Sequence, residues 1–287
     1  MPSIDSCFTS STESELAVEV AVPARILADR AIEWAIARRV AVEGWSVRYR
    51  EAGTGPVVVL LHGLAVSADY WWRNGPPHAA AGYRVLAPDL PGFGLTEGPR
   101  DGLSIEEQAR ALSSWAAELG IEHAVYVGHS LSCQTSLQFA AWFPERVAGL
   151  ILAAPTGDPS GRRLARQALG LLRDVPRESW RLRLLVAEAY LRAGFVRAWR
   201  TWRDAATNDA LATAEAVRAP GVVVLGTRDP VVRGEFAESL ASRLPRGRVI
   251  LIAGGAHAVI YDTAEAFNAA VCEFIDELEG YASRVSK

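Results

Sequence analysis

Val125-Tyr126-Val127-Gly128-His129-Ser130-Leu131-Ser132 leads a β-branched run into Gly-His-Ser, and the helix-compatible residues Leu131–Phe143 follow at once. This predicts a strand entering a sharp turn and then a helix, with a serine at the tip. Such a turn drives its central residue toward positive φ, a strained conformation that persists only where the surroundings over-determine it. The positions two before and two after the serine must be small, because strand and helix pack closely there. Gly128 meets that requirement. Ser132 stands where glycine is usual, so the pattern is G-x-S-x-G with one deviation. The added hydroxymethyl group either displaces the helix start slightly or bonds the helix backbone locally.

On either side of this turn, short apolar runs recur at Val57–Leu61, Arg84–Ala87, Ala124–Val127, Val147–Leu152, Val222–Leu225 and Val249–Ile252. Runs of this kind are expected of strands covered on both faces. Trp45–Arg50 alternates instead, and reads as a hairpin with Val40–Val42 around Glu43-Gly44. Helices are expected over Ala24–Arg39, Ser67–Ala80, Ile105–Leu119, Leu131–Phe143, Gly234–Leu244 and Ala264–Glu279. Strand–helix alternation predicts an α/β fold, with a mostly parallel central sheet carrying helices on both faces.

One interval breaks the alternation. After Ala153-Ala154-Pro155 a long helical stretch containing Trp180, Trp199 and Trp202 precedes Val222. An insertion of that length is expected to be a lid or small subdomain. The domains expected are therefore an N-terminal arm and helix (1–39), a core (40–155 and 210–287) and a helical cap (156–209). The cap is rich in arginine, from Arg162, Arg163 and Arg166 through Arg203. These read as a solvated surface on which long basic side chains snorkel, with an acidic or acyl-carrier-linked substrate as the alternative.

The chain has 287 residues, 50% hydrophobic and 22% charged, with a net charge of −3. That composition fits a globular domain and offers nothing that would draw nucleic acid or an anionic membrane. Cys7, Cys133 and Cys272 are too widely spaced for a disulfide framework or a metal site. Cys133 and Cys272 read as buried free thiols, which points to a reducing, cytoplasmic compartment. Met1–Val22 lacks the basic and apolar regions of a signal peptide, and no apolar run is long enough to span a membrane. No metal or other cofactor is implied, and the oligomeric state is open.

Beyond the serine turn, Gly226-Thr227-Arg228-Asp229-Pro230 and Gly254-Gly255-Ala256-His257 each follow a predicted strand. With these elements in the order serine, acid, histidine, residues 40–280 resemble the α/β-hydrolase superfamily, specifically its cap-bearing, esterase-like serine members. The resemblance implies a triad in which Ser130 is the nucleophile, His257 its general base and Asp229 the group that orients the imidazole. Leu60-Leu61-His62-Gly63-Leu64 resembles the family's oxyanion loop. Backbone N–H groups of Leu64 and Leu131 would then hold the oxyanion.

Gly63 reads as a residue that lets backbone approach a ligand, and His62 as a loop organiser in preference to a base. His129 is expected at the pocket floor. In Asp89-Leu90-Pro91-Gly92-Phe93-Gly94, Asp89 is expected to bond backbone within a tight turn. Trp71, Trp72 and Phe93 are placed near the site entrance, with core packing as the alternative. His62, Gly63, His129, Trp71 and Phe93 are thus the candidate substrate contacts.

The implied function is cleavage of a carboxylic ester, or a related thioester or lactone, through an acyl-enzyme, acting on a small molecule with an apolar acyl group. A carbon–carbon bond hydrolase, a cofactor-free haloperoxidase or a lyase would keep the same triad. A non-catalytic small-ligand-binding member of the fold is a further alternative, because fold alone does not determine function. The serine argues against epoxide hydrolases and haloalkane dehalogenases, which carry an aspartate at this turn.

Overall fold

The computed structural model describes residues 23–159 and 164–278, the side chains of 164–168 excepted. Among the described residues eight strands form one sheet: β1 (Ala37–Val42), β2 (Trp45–Ala52), β3 (Val57–Leu61), β4 (Arg84–Pro88), β5 (Ala124–His129), β6 (Val147–Ala153), β7 (Gly221–Gly226) and β8 (Arg248–Ile252). Their spatial order is β1-β2-β4-β3-β5-β6-β7-β8. β2 runs antiparallel to both neighbours, and every other pairing is parallel. The predicted α/β class and parallel sheet are both present.

The apolar runs earn their continuity by facing two cores. On β3, Val59 and Leu61 join one cluster while Val58 and Leu60 join the other. Leu150 and Leu152 alternate with Ile151 and Ala153 on β6 in the same way. The first cluster is closed by α3 (Ile105–Glu118), α4 (Ser132–Trp142), α8 (Ala210–Glu215) and α9 (Gly234–Ala241). The second is closed by α1 (Ala24–Ala35), α2 (Gly75–Ala80), α10 (Val259–Asp262) and α11 (Ala264–Asp276). Side chains alternate across a strand, so a sheet sandwiched between helix layers needs apolar residues at every position.

Two predicted helices differ from the structure. The helix expected over Ala24–Arg39 ends at Ala35, and Ala37–Arg39 instead begin β1. Glu43 and Gly44 both have positive φ, 47° and 86°, as a two-residue hairpin turn requires. That turn sets a register that pairs Ala37 with Arg50, so the strand claims residues whose local pattern is helical. The helix expected over Ser67–Ala80 is a 3₁₀ turn at Ala68–Trp71 followed by α2. Pro76 and Pro77 have no N–H to donate and are tolerated only in a helix's first turn, so the helix must start there.

Between β6 and β7 lie α5 (Leu164–Asp174), α6 (Trp180–Ala193) and α7 (Phe195–Thr207), before α8. Leu182 and Ala189 of α6 pack into the second core, while Ala193 and Ala198 meet Leu90 and Phe93. The described part of the insertion thus packs both on the second core and on the loop after β4. Met1–Val22, Cys7, Arg162, Arg163 and Glu279 lie outside the described residues, as does the side chain of Arg166. Cys133 is buried and Cys272 half-buried, and both are free thiols. Among the described residues no helix is long and apolar enough to cross a membrane.

Asp89 fastens the loop that the sequence marked as a tight turn. Its carboxylate accepts from the backbone N–H of Ala68 (2.7 Å) and Leu95 (2.8 Å) and from the Arg48 guanidinium (2.9 Å). Arg48 also reaches Asp69 at 2.6 Å, and both Arg48 and Asp89 are almost wholly buried. Removing one member of such a pair leaves a buried charge without compensation. Arg48→Leu is expected to lower stability by about 3–5 kcal/mol, read as a shift in the urea unfolding midpoint.

Candidate active site

The carboxyl ends of β3, β5, β7 and β8 bring together loops that are far apart in sequence. Ser130, directly after β5, adopts φ 55°. Its N–H donates to the Ala153 carbonyl at 2.9 Å, which ties the turn to β6. A Cβ on Gly128 would lie 2.7 Å from the Ser132 carbonyl and 2.9 Å from the Cys133 nitrogen. The demand for a small residue before the serine is therefore a packing demand, made by the first turn of α4.

Ser130, His257 and Asp229 meet. Asp229 Oδ1 accepts from the backbone N–H of Val231 (2.7 Å) and Val232 (3.0 Å), which points Oδ2 at His257 Nδ1, 3.0 Å away. His257 Nε2 lies 3.0 Å from Ser130 Oγ. An ionised carboxylate only accepts, so the hydrogen sits on Nδ1 and leaves Nε2 free to accept from the serine hydroxyl. Such an array can pass a proton from hydroxyl to imidazole while the carboxylate stabilises the resulting charge.

The electrostatics agree with that division. Burial opposes a charge on His257, but the charge and hydrogen bond of Asp229, together with the charges of Asp174 and Glu178, outweigh it and raise its pKa above the usual value. Burial likewise works against the Asp229 anion, and His257 with the two backbone donors lowers its pKa overall.

The neighbouring histidines behave differently. Burial drives His129 down to about 3, so it stays neutral, and its Nε2–H donates to the His257 carbonyl at 3.0 Å. It lines the cavity, as expected of a floor residue. His62 does not line it. Its Nε2 accepts from Leu90 N–H (3.1 Å), which places the hydrogen on Nδ1 for donation to the Gly63 carbonyl (2.8 Å). His62 thus joins two loops from behind. Gly63 does line the cavity, and a Cβ there would stand 3.1 Å from His129 Nδ1.

Leu64 and Leu131 both border the cavity beside Ser130. Among the described residues no protein acceptor takes the backbone N–H of either. Ser132 does not bond its own helix as the sequence suggested. Its hydroxyl donates to the His62 carbonyl, tethering α4 to the loop that carries Leu64.

Trp71 and Phe93 do not reach the cavity, contrary to their expected place at the entrance. Trp71 is fully buried against Phe267, and Phe93 is buried edge-on against the His62 ring. Both side chains satisfy the core from the far side of their loops. Trp72 is exposed, beneath the Arg50 guanidinium. The aromatic wall comes instead from Tyr70, Tyr190 and Trp202, with Leu171, Val186 and Val231. No local signal marked these residues, because their shared cavity exists only once the insertion has folded over the rim.

The arginine-rich insertion does not direct its described guanidinium groups into the cavity. Arg197 caps the carbonyls of Gly92 (2.7 Å) and Pro99 (3.0 Å), Arg192 pairs with Glu188 and Arg200 with Asp101. Arg177 bonds the Arg173 carbonyl, and Arg181 lies over the Trp180 ring. Among the described residues no cluster of three or more His, Cys, Asp or Glu could hold a metal ion.

Comparison with known proteins agrees with this architecture. Residues 56–178 match the family model described as alpha/beta hydrolase fold, and residues 187–282 one described as TAP-like protein. The 2-hydroxy-6-oxo-6-phenylhexa-2,4-dienoate hydrolase of Comamonas testosteroni is 40% identical over 119 residues, a match covering 39% of this chain and 40% of that enzyme. A 2-hydroxy-6-oxononadienedioate/2-hydroxy-6-oxononatrienedioate hydrolase of Paraburkholderia phymatum is 29% identical over 80% of this chain and 91% of its own length. The enol-lactonase from Burkholderia xenovorans LB400 superposes with a TM-score of 0.70 at 23% identity, over 84% of this chain and all of its own.

The opposed environments of the two cavity histidines are measurable. In histidine NMR titrations, His257 is expected to titrate above pH 6.5 and His129 to stay neutral from pH 5 to 9. Asp229→Asn should lower the His257 midpoint by about one unit or more.

Proposed function

The chain belongs to the α/β-hydrolase superfamily, and from that premise we propose that it is a serine hydrolase cleaving a carboxylic ester, or a related thioester or lactone, through an acyl-enzyme. The observation that carries this reading is the pair of 3.0 Å contacts joining Ser130 to His257 and His257 to Asp229. In this mechanism His257 takes the hydroxyl proton as Ser130 attacks the carbonyl, then returns it to the departing alcohol. Water deprotonated by His257 releases the acid and regenerates Ser130. Asp229 stays ionised and holds the imidazole in the tautomer the attack needs.

The oxyanion is received by the unpartnered N–H groups of Leu64 and Leu131, donors aimed where negative charge develops. Ser132 supports that function by fastening the Leu64 loop to α4. Residues 156–209 act as the cap: Leu171, Val186, Tyr190 and Trp202 roof the site, exclude water and supply an apolar surface for the acyl group. The substrate is a small molecule.

A second reading, carbon–carbon bond hydrolysis, is favoured by the names of the two dienoate- and dienedioate-cleaving relatives. It would use the same serine, histidine and aspartate, so the choice rests on the bond presented.

A fluorophosphonate probe is expected to label Ser130, and Ser130→Ala to abolish labelling and lower kcat by about 10⁴-fold or more. With p-nitrophenyl butyrate, kcat/KM should rise with pH through a midpoint above 6.5, the direction in which Asp229 moves His257. A labelled protein that hydrolyses none of a p-nitrophenyl ester series would overturn the ester reading in favour of the carbon–carbon one.

A further inference from the structure

The cavity has a charge asymmetry that the triad does not use. Its lining includes no arginine or lysine among the described residues. Behind its His257 wall stands an acidic group contributed jointly by insertion and core. Asp174, the last residue of α5, is 1% exposed. Its Oδ1 lies 3.4 Å from the backbone nitrogen of His257, and among the described residues its Oδ2 has no hydrogen-bond partner. Leu171, one turn earlier on the same helix, lines the cavity. Asp262 of α10 also has an oxygen without a partner among the described residues. Glu178, half-buried in the turn before α6, completes the group.

We propose that this cavity selects substrates that are uncharged or carry a positive charge, and disfavours those bearing a carboxylate, because the carboxyl groups of Asp174, Glu178 and Asp262 stand behind its His257 and Tyr70 side. A ligand carboxylate entering here gains no cation from the lining and approaches a buried carboxylate one of whose oxygens lacks a partner, where the low local dielectric leaves the repulsion poorly screened. An ammonium group meets no such repulsion, and the aromatic residues Tyr70, Tyr190 and Trp202 line the cavity it would enter. The named dienoate substrates of the relatives carry carboxylates, so the proposal separates this chain from them within the ester reading on which its kinetic arm rests.

The titration of these acids follows the same geometry. Burial, then the charges of Asp174 and Asp262, push Glu178 up to about 7, while His257 and Arg183 oppose the rise. Burial, with Asp229 adding to it, raises Asp174 against the pull of His257 and Arg177. Burial, then the charges of Glu178, Asp262 and Asp174, push the Tyr70 phenol well up and keep it neutral. An added anion is therefore accommodated only by repulsion or by taking up a proton. Its exclusion strengthens as pH rises through neutrality.

The test compares hexanamide, adipic acid monoamide and 5-(trimethylammonio)pentanamide, which place a methyl, a carboxylate carbon and an ammonium nitrogen at the sixth chain atom, by calorimetric titration into the Ser130→Ala protein at pH 8. Binding of the carboxylate at least fivefold weaker than hexanamide, with the ammonium at least as tight, supports the proposal. A smaller difference, the reverse order, or no measurable binding by any of the three overturns it. Asp174→Asn should narrow the carboxylate penalty at least threefold, and Glu178→Gln is the companion variant should the first fail to fold. A penalty unchanged in the folded variants overturns the assignment to this cluster. Wild-type kinetics on the matching p-nitrophenyl esters separate the two readings. Discrimination in binding without turnover sinks the esterase reading alone, and turnover without discrimination sinks this inference alone.

Discussion

Ser130 holds a backbone conformation that its own side chain disfavours. A non-glycine residue at φ 55° costs about 1–3 kcal/mol and persists only where its surroundings fix it. Here they do so from three directions. The serine N–H is held by β6, the missing side chain of Gly128 admits the first turn of α4 to within contact of β5, and the Ser132 hydroxyl anchors that turn to the His62 carbonyl. The strain lifts the hydroxyl off the sheet edge toward His257. It also leaves the Leu131 N–H, the next along the chain, without a protein acceptor.

Much of the remaining structure keeps other loops in register with that turn. Asp229 would be a flexible loop carboxylate were its Oδ1 not committed to two backbone donors, so the direction of Oδ2 is settled before the imidazole arrives. His62 bridges the Leu90 and Gly63 loops, and the buried Arg48–Asp89 pair fastens the first of these to the antiparallel end of the sheet. Buried charges contribute little net stability when paired and cost heavily when separated. The pair therefore acts chiefly to forbid alternative loop arrangements. A site assembled from loops keeps sub-ångström geometry only with such constraints.

The insertion couples the two halves of the chemistry. Its inner face completes the wall around Ser130, and its Asp174 reaches the backbone of His257. Any movement of α5 alters both the shape of the cavity and the field at the imidazole. Of the insertion's described arginines, Arg177, Arg181, Arg192, Arg197 and Arg200 engage carbonyls, exposed carboxylates and a tryptophan face. The charge nearest the site is consequently the opposite of what the composition suggests.

Legibility followed the range of the interaction. The alternating strands and helices and the serine turn were readable because each rests on local rules: apolar periodicity, turn chemistry, and small residues at a tight crossing. The loops bearing Asp229 and His257 were readable through the resemblance of their order to a family pattern. Misreadings arose where a neighbour distant in sequence outbid local preference. Ala37–Arg39 joined a strand because a hairpin register extended it, and Trp71 turned into the core because Phe267 awaited it. The sequence by itself determined the parallel sheet and which residues its loops would carry. Only the tertiary structure decided that Tyr70, Tyr190 and Trp202 share one cavity, that Ser132 grips the opposite loop, and that Asp174 stands behind His257. Side-chain direction and burial depend on packing between segments that no local pattern records.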